Sequence, residues 1–542
     1  MMDLWKLCCW ILLFLVLACR PNEQPTATRP NIIIILADDM GYSDLGCYGS
    51  EIRTPHLDRL AAEGVRFSQF YNAARCCPSR AALLSGLYPH QAGIGGMTDT
   101  DLDIPQYQGF FNDSTVTIAQ VLGNAGYTSY LAGKWHLGEE ADHRPLDHGF
   151  DHCFAFINGA ASYYDFKPYR NESWPPGNEL AVVLDDEPLD LSDSTFYATD
   201  LYTDHAIRFI KDHSEDTPFF LYLGYTAPHW PLHALPEDII RYEGTYDAGW
   251  QAVREARYRR QLELGLIQPG TPLSTAIDPS QKWGQMDSVA KARETRLMEV
   301  YAAMVDRMDQ NIGRLLSSLE QQGRLDHTVI FFLSDNGAAP TGNMAGGKYA
   351  HKRFDREAVP GGPKSFTGQG RKWANVSNTP FRLHKSRIHE GGIATPFIAW
   401  SPKGFDHGAI VHQSANIVDL MPTVLELAQV EYPAVWEGHP VKPQMGVSLL
   451  PALRKKGPLD QRTMYFEHMS HEGMIENGWK AVRLRKQDWE LYYLNEDRSE
   501  MNDLARIYPD RLELMVMKYN AWKHRNKILP REEIEARMKY KF

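Results

Sequence analysis

The chain has 542 residues, of which 43% are hydrophobic and 23% are charged, and its formal net charge is −11. This length allows a large buried core and favours one large domain with a smaller one. The acidic balance argues against a nucleic-acid-binding protein, because no overall excess of lysine and arginine is present to hold phosphates.

The N-terminus has the pattern of an export signal. Lys6 precedes an apolar run from Leu7 to Ala18, which is too short to span a bilayer comfortably. Cys19 follows Val16, Leu17 and Ala18 in an order that resembles a bacterial lipobox, in which the cysteine is acylated. We expect a signal peptide over residues 1–18 and a linker over 19–30, with Cys19 as the lipidation candidate and the only membrane attachment. The protein is then a periplasmic or outer-membrane lipoprotein, with plain secretion as the alternative.

Strands and helices alternate along the central part of the sequence. A continuous β-branched run predicts a strand covered on both faces at 31–37. Further strands are predicted at 127–132, 218–224 and 327–334. Apolar residues at helical spacing predict helices at 54–66, 117–124, 197–213, 293–323 and 416–429. In the first of these helices, the apolar face includes Val65. This alternation predicts an α/β domain over 31–434, with a large, mixed, mostly parallel sheet and helices on both faces.

The pattern changes beyond residue 435. Residues 479–484 and 489–494 have the alternation of half-buried antiparallel strands, and a polar, helix-forming tail begins at about Asp510. We therefore predict a smaller C-terminal α+β domain over 435–542 with a short antiparallel sheet.

The most informative segment lies between the first two predicted helices. Residues 76–80 are Cys-Cys-Pro-Ser-Arg, and Leu84, Ser85 and Gly86 follow, which fits the pattern C-x-P-S-R-x-x-x-L-[ST]-G. Only Cys76 has proline two residues later and arginine four residues later, so Cys77 is its structural neighbour. Proline suits the first turn of a helix, and the positive end of that helix would favour an anion beside Cys76. A chance match and a buried or metal-binding cysteine pair are the alternatives, which the length of the pattern disfavours.

Acidic and amide residues follow two of the predicted strands. Asp38 and Asp39 come after the first strand, and Asp335 and Asn336 come after the strand at 327–334. Open α/β sheets place ligand sites at the carboxyl ends of their strands. Four oxygen donors without Cys or His among them suit Ca²⁺ or Mg²⁺ rather than zinc. Each group alone is more often a turn or a solvated loop.

Three further short segments place cations and imidazoles near strand ends or in loops. Lys134 and His136 lie in residues 133–138, His229 lies in 227–231, and Lys385 lies in 380–392. Any one of these histidines would more often be a hydrogen-bonded structural residue. Their joint occurrence with the cysteine pattern favours a catalytic site.

The motifs and their order resemble the type I, formylglycine-dependent sulfatases of the alkaline-phosphatase-like superfamily, from Arg29 to about Ala505. The stretch at 246–251 is similar to bacterial arylsulfatase-like members, and Leu87 departs from the arginine found in many relatives. The resemblance implies that a formylglycine-generating or anaerobic sulfatase-maturing enzyme oxidises Cys76 to formylglycine. One hydroxyl of the hydrated aldehyde then attacks sulfur, and the other expels sulfate by collapse to the aldehyde. The chain has seven cysteines. When the two in the signal segment, Cys19 and Cys76 are set aside, three remain, so at most one intramolecular disulfide is expected.

The resemblance also implies a ligand set for one Ca²⁺, made of Asp38, Asp39, Asp335 and Asn336. The cation would bind a sulfate oxygen and a formylglycine hydroxyl and would stabilise charge on the sulfuryl oxygens. Asp335 is also a candidate acceptor for the proton of the attacking hydroxyl.

The same resemblance gives the remaining site residues their roles. Arg80 and Lys134 would orient the diol and bind sulfate, and His229 and Lys385 would bind sulfate and protonate the leaving alcohol. His136 would be the base that removes the proton of the second hydroxyl during elimination. Residues 147–151 and 419–423 also fit family signatures, and we assign them packing roles.

A basic stretch between Asn336 and Pro380 suggests the substrate class. It contains seven cations opposed in sequence only by Asp355 and Glu357: Lys348, Lys352, Arg353, Arg356, Lys364, Arg371 and Lys372. We expect a loop at the substrate entrance that favours a sulfated carbohydrate such as algal galactan, ulvan or a host glycan, with a solvated surface loop as the alternative. Trp230 and Trp373 are candidates for stacking on sugar rings.

Two other functions fit parts of the pattern. Phosphonate or phosphate ester hydrolases of the same superfamily share the fold and can use formylglycine. A non-catalytic, Ca²⁺-stabilised glycan-binding lipoprotein is the alternative from a different class, but it would need neither Cys76 nor both imidazoles.

Overall fold

The computed structural model describes residues 29–166, 182–191, 195–214, 217–347 and 350–541. The predicted signal peptide, Cys19 and Lys348 lie outside these residues. Within the described part of the chain, no helix combines the length and apolar composition needed to cross a lipid bilayer.

A large sheet organises the fold. Among the described residues it contains ten strands: β1 Asn31–Ala37, β2 Val65–Phe67, β3 Thr128–Lys134, β4 His152–Phe156, β5 Val182–Leu184, β6 Glu187–Pro188, β7 Phe219–Gly224, β8 Thr328–Ser334, β9 Phe397–Trp400 and β10 Ala409–Val411. Their order is β10-β2-β9-β8-β1-β7-β3-β4-β5-β6. The inner strands β8, β1, β7, β3 and β4 are parallel, while β9 and β5 run antiparallel to their neighbours. This confirms the predicted mixed, mostly parallel sheet.

Helices connect these strands and extend the chain beyond the sheet. In the described residues they are α1 Pro55–Glu63, α2 Cys76–Ser85, α3 Pro89–Ala92, α4 Ile118–Gly123, α5 Ala198–Asp212, α6 Pro236–Ile239, α7 Gly249–Glu263, α8 Ser288–Gln321, α9 Gly370–Ser377, α10 Glu390–Ile393, α11 Leu420–Ala428, α12 Leu450–Leu453, α13 Pro509–Arg525 and α14 Arg531–Lys541.

Helices cover both faces of the sheet, as the apolar run of β1 predicts. Successive side chains of a strand point to opposite faces. Ile33 and Ile35 belong to the core that contains apolar residues of α1, α5 and α8. Ile32 and Ile34 belong to a second core with apolar residues of α2, α4 and α11. Because β1 is fully buried on both faces, the residues that follow it are held in a rigid environment.

Two predicted helices have different bounds in the structure. The helix predicted at 54–66 ends at Glu63, where the chain turns into the sheet. Gly64 packs so closely against the sheet there that a Cβ would lie 2.4 Å from the Ala399 carbonyl oxygen. Val65 therefore belongs to β2. In the helix predicted at 416–429, Asn416 is part of a short strand and its side chain accepts a hydrogen bond from the Val418 amide, so α11 begins only at Leu420.

A second, antiparallel sheet forms the C-terminal part. Its four strands are β11 Met464–His468, β12 His471–Glu476, β13 Trp479–Arg483 and β14 Glu490–Tyr493, in that order. The last two are the predicted pair, and the first two were missed because each has only a short apolar run, with histidine and glutamate beside it. One face of this sheet packs on α13, and the other joins the core of the large sheet. The predicted boundary at residue 435 stays a prediction.

A buried ion network joins the two sheets. On β13, Lys480 Nζ lies 2.9 Å from Glu390 Oε1 and 2.8 Å from Glu500 Oε1. Arg498 Nη2 lies 3.0 Å from Glu390 Oε2. Both carboxylates and the Lys480 ammonium are inaccessible to solvent. These pairs fix how the small sheet sits against the helix start at Glu390.

Replacing Lys480 with methionine is expected to destabilise the protein by about 3–5 kcal/mol, because it leaves buried carboxylates without their compensating charge. Denaturant unfolding followed by tryptophan fluorescence measures the change. Lys403→Met is the matched control, since this exposed lysine contacts Asp326 at the surface and its loss is expected to cost less than ~1 kcal/mol. Equal stability of the two variants would contradict the proposed contribution of the network.

Candidate active site

Cys76 is the first residue of α2. Arg75 precedes the helix in an extended conformation, and all ten residues of the helix are buried. Ala81, Leu83 and Leu84 pack in the second core, which anchors the helix behind its N-terminus. The free backbone N–H groups and the positive helix end therefore surround Cys76, an arrangement that favours a bound anion.

Four oxygen-bearing side chains lie next to this helix end. Strands β1 and β8 are parallel neighbours whose last residues, Ala37 and Ser334, are paired. Asp38 and Asp39 follow the first strand, and Asp335 and Asn336 follow the second. This pairing brings the side chains together: the Asp39 amide donates to Asp335 Oδ1 at 3.3 Å, and Asn336 Nδ2 donates to Asp39 Oδ1 at 2.6 Å.

This group fits a divalent cation. Candidate ligand atoms of Asp38, Asp39, Cys76 and His229 all lie within 4.8 Å of one another. Asp38 Oδ1, Asp39 Oδ2 and Asn336 Oδ1 are buried and accept no hydrogen bond from any described residue. Unsatisfied buried oxygens are costly, and carboxylate and amide oxygens are the ligands that Ca²⁺ and Mg²⁺ prefer. The orphaned oxygens therefore have the chemistry of a site for a hard cation.

Arg80 lies behind the carboxylates, where solvent does not reach it. Its Nε and Nη2 atoms donate to Asp335 Oδ2 at 3.2 and 3.1 Å. Its Nη1 atom donates to the Lys134 carbonyl oxygen at 3.0 Å and to the Tyr222 hydroxyl at 3.2 Å. Burial and the charge of Asp38 raise the pKa of Asp335 well above its ordinary value, and Arg80 opposes them. Arg80 thus positions Asp335. Tyr222 lies in an apolar strand, so no motif in the sequence pointed to it.

Two lysines and one imidazole face the aspartates. Lys134 Nζ lies 2.5 Å from Asp38 Oδ2, and Lys385 Nζ donates to Asp39 Oδ1. His229 Nδ1 donates a hydrogen bond to the Trp230 carbonyl oxygen at 2.6 Å. His229 Nε2 is then the nitrogen that faces the site, 3.5 Å from Asp39 Oδ2.

His136 and Asp39 are held in strained backbone conformations. Their φ angles are 57° and 65°, in the left-handed region that non-glycine residues rarely adopt. The resulting turn after β3 directs His136 toward Cys76. Burial and the charge of Lys134 lower the pKa of His136 to about 4. Its imidazole is therefore neutral near pH 7 and able to accept a proton.

The same groups determine the protonation of Cys76. Burial alone raises the pKa of its thiol, but the ammonium groups of Lys385 and Lys134 and hydrogen bonds from the two imidazoles outweigh burial and hold the pKa well below its ordinary value. The position thus stabilises negative charge, which is what a sulfate ester and its developing oxyanion carry.

Glycines bring the Lys385 segment against the cation group. A Cβ at Gly337 would lie 2.0 Å from the Gly391 carbonyl oxygen, and a Cβ at Gly391 would lie 2.3 Å from the Arg382 carbonyl oxygen. Only glycine fits at such a close approach. The tight packing of these backbones places Lys385 beside Asp39.

The structure brings the ten predicted site residues to one place, and their individual roles stay predictions. The stacking role proposed for Trp373 is wrong, because its side chain is completely buried and packs edge-on against Tyr246, Trp250 and Trp283. Its indole donates a hydrogen bond inward to a carbonyl oxygen of α8.

Part of the basic stretch between Asn336 and Pro380 lies close to the candidate active site. Phe366 packs edge-on against the half-buried Trp230, 5.7 Å between ring centroids, and Trp230 adjoins His229. Arg353 is paired with Asp165 at 2.6 Å, so the cations are opposed in space by more than their sequence neighbours. Substrate binding by this stretch stays a prediction.

Comparison with known proteins identifies the family. The family model described as Sulfatase matches residues 30–430. A second model, described as N-sulphoglucosamine sulphohydrolase, C-terminal, matches residues 381–518. The chain belongs to the sulfatase family. It is an enzyme, and the non-catalytic glycan-binding alternative is not supported.

Individual relatives span most of this sulfatase. Arylsulfatase of Klebsiella aerogenes is 38% identical over 435 residues, which cover 78% of this chain and 91% of the relative. Human N-acetylgalactosamine-6-sulfatase is 30% identical over 479 residues, 84% of this chain and 73% of the relative. Among solved structures, Ps i-CgsB in complex with k-i-k-neocarrahexaose is similar with a TM-score of 0.65 and 25% identity, covering 91% of this chain and 93% of that one.

Proposed function

We propose that this sulfatase removes sulfate from a sulfated carbohydrate, using formylglycine formed from Cys76 and one Ca²⁺. The observation that carries the proposal is the position of Cys76 at a helix N-terminus, with its sulfur within 4.8 Å of ligand atoms of Asp38, Asp39 and His229. The names of two similar proteins, N-acetylgalactosamine-6-sulfatase and a structure with bound neocarrahexaose, support a carbohydrate substrate.

The modification and the cation each supply one element of the chemistry. Formylglycine supplies a hydrated aldehyde as the nucleophile, and the maturation enzyme supplies the oxidant that makes it. Ca²⁺, held by Asp38, Asp39, Asp335 and Asn336, supplies positive charge against a sulfate oxygen. The orphaned oxygens of three of these side chains are the reason for assigning the ligand set.

The remaining residues bind the ester and move protons. Lys385 and His229 face the site from one side, where they hold sulfate oxygens and donate a proton to the leaving alcohol. Lys134 holds Asp38 and adds positive charge beside Cys76. Neutral His136 accepts a proton during sulfate release.

The test compares 4-nitrophenyl sulfate with 4-nitrophenyl phosphate and a phenylphosphonate ester, using enzyme produced with its maturation partner. We expect the sulfate ester to have the highest kcat/KM. A higher value for a phosphorus ester would contradict the proposal and favour the phosphonate or phosphate ester hydrolase that the sequence left open.

Export with a lipid on Cys19 completes the proposal. An anchored enzyme in the periplasm or on the outer membrane suits degradation of external polysaccharides such as algal galactan or ulvan. Cys19→Ala is expected to move the protein from the membrane to the soluble fraction, as measured by immunoblotting. Unchanged membrane association of the variant would contradict the anchor.

A further inference from the structure

A cationic cleft adjoins the proposed active site. It has a volume of about 640 Å³, and its lining includes Arg75, Arg387, Arg485, Arg531, His468 and His471. We call it the arginine cleft. Arg75 directly precedes Cys76, and Arg387 follows Lys385 by two residues. The two histidines belong to β11 and β12, and Arg531 begins α14. The cleft thus lies between the residue that precedes Cys76 and the C-terminal sheet.

Two arginines of the arginine cleft pair with no acidic residue in the part of the chain that the structure describes. Arg387 Nη1 lies 2.6 Å from His471 Nε2, and Arg75 Nη1 donates to Ser386 Oγ at 2.7 Å. Arg75 Nε is buried and donates to no acceptor among the described residues. Within the described residues, neither guanidinium forms an ion pair with a carboxylate, and the charges that act on Arg387 are those of Arg371 and Arg75. Both are half-buried, so water solvates them only in part.

The other two arginines are partly neutralised. Arg531 Nε lies 2.8 Å from Glu535 Oε1, and Arg485 Nη1 lies 3.4 Å from the same oxygen. Arg485 Nε also lies 3.9 Å from Glu532 Oε1, so two carboxylates oppose these two arginines. Asp99 also borders the cleft, but it is exposed at the rim. The positive charge left inside the cleft is greatest next to Cys76, around Arg75 and Arg387.

We propose that the arginine cleft binds a second anionic group of the substrate, a sulfate or a carboxylate, while the scissile sulfate ester lies at Cys76. The inference rests on the proposed function and specifies its substrate class as carbohydrates with at least two negative charges. The cleft volume suits a saccharide portion rather than a lone sulfate. Arginines pair with sulfate and carboxylate oxygens through parallel hydrogen bonds, and half-buried cations without partners gain most from such a pair.

The experiment measures kcat/KM for three disaccharides with the same scissile sulfate. One is otherwise neutral, one has a second sulfate, and one has a uronic carboxylate. We expect the dianionic substrates to be preferred at least ~10-fold. In Arg387→Gln the preference should fall below ~3-fold, mainly through KM, because the charge-assisted pair with the second anionic group is lost. Arg387→Lys should restore part of it. The two dianionic arms show whether sulfate or carboxylate is favoured.

Arg208→Gln is the matched control, because this exposed arginine pairs only with Asp212 on the surface of α5 among the described residues. The preference of this variant for dianionic over neutral substrates should equal that of the unchanged enzyme. Equal kcat/KM for the neutral and dianionic substrates would overturn the inference, and so would a preference that Arg387→Gln leaves unchanged. Turnover of an aryl sulfate would still support the proposed function in either case. If the unchanged enzyme hydrolysed none of the sulfate esters, both the inference and the proposed function would be overturned.

Discussion

Replacing Cys76 with alanine is expected to abolish sulfate ester hydrolysis. The variant lacks the side chain that becomes the nucleophile, and loss of a nucleophile costs on the order of 10⁴–10⁶-fold in kcat. The cation group and the imidazoles remain, so binding of a sulfate ester should persist. Steady-state hydrolysis of 4-nitrophenyl sulfate measures the loss, and thermal unfolding checks that the variant is folded.

Cys77→Ala is the matched control for this variant. Cys77 is completely buried, and its sulfur contacts Met97 Sδ at 3.5 Å rather than facing the site. Its replacement should leave hydrolysis within ~3-fold, because it removes packing and no reacting group. Comparable activity in the two cysteine variants would show that Cys76 is not the nucleophile.

Removal of the divalent cation is expected to have the second large effect. Chelation should abolish hydrolysis and lower the melting temperature, because buried carboxylates then lose their compensating charge. Adding Ca²⁺ at 100 times its Kd should stabilise the folded state by about 2.7 kcal/mol. Thermal unfolding with and without Ca²⁺ measures this change independently of activity.

Two carboxylate variants make the test specific. Asp335→Asn should lose the Ca²⁺-dependent rise in melting temperature. Asp419→Asn should retain it, because Asp419 is also buried and paired with an arginine, Arg462, but packs α11 away from the cation group. A Ca²⁺-dependent rise of the same size in both variants would contradict the assigned ligand set.

Much of the fold was predictable because the central strands are buried on both faces. The runs at 32–37 and 329–333 are apolar throughout, and this pattern is typical of inner parallel strands. The ends of elements depended on long-range contacts instead. Gly64 ends α1 because it meets the backbone of β9, which lies more than 300 residues later in the chain. No local pattern contains that information.

The candidate site was predictable where motif residues follow strands directly. Asp38 and Asp335 lie together because β1 and β8 are paired, and sequence order alone places them at strand ends. Tyr222 and the arginine cleft were not predictable in this way. Their residues come from five or more separate segments that meet only in the folded chain. Trp373 was misassigned because an aromatic residue in a polar stretch gives no signal of burial.

The central claim is that Cys76 becomes the aldehyde that acts on the sulfate ester. Mass spectrometry of the peptide that contains residue 76, taken from enzyme of measured activity, tests it most directly. We expect one oxygen to replace one sulfur and two hydrogens in that side chain, in a fraction of molecules that rises in proportion to kcat between preparations. Fully active enzyme with an unmodified thiol at Cys76 would contradict the claim.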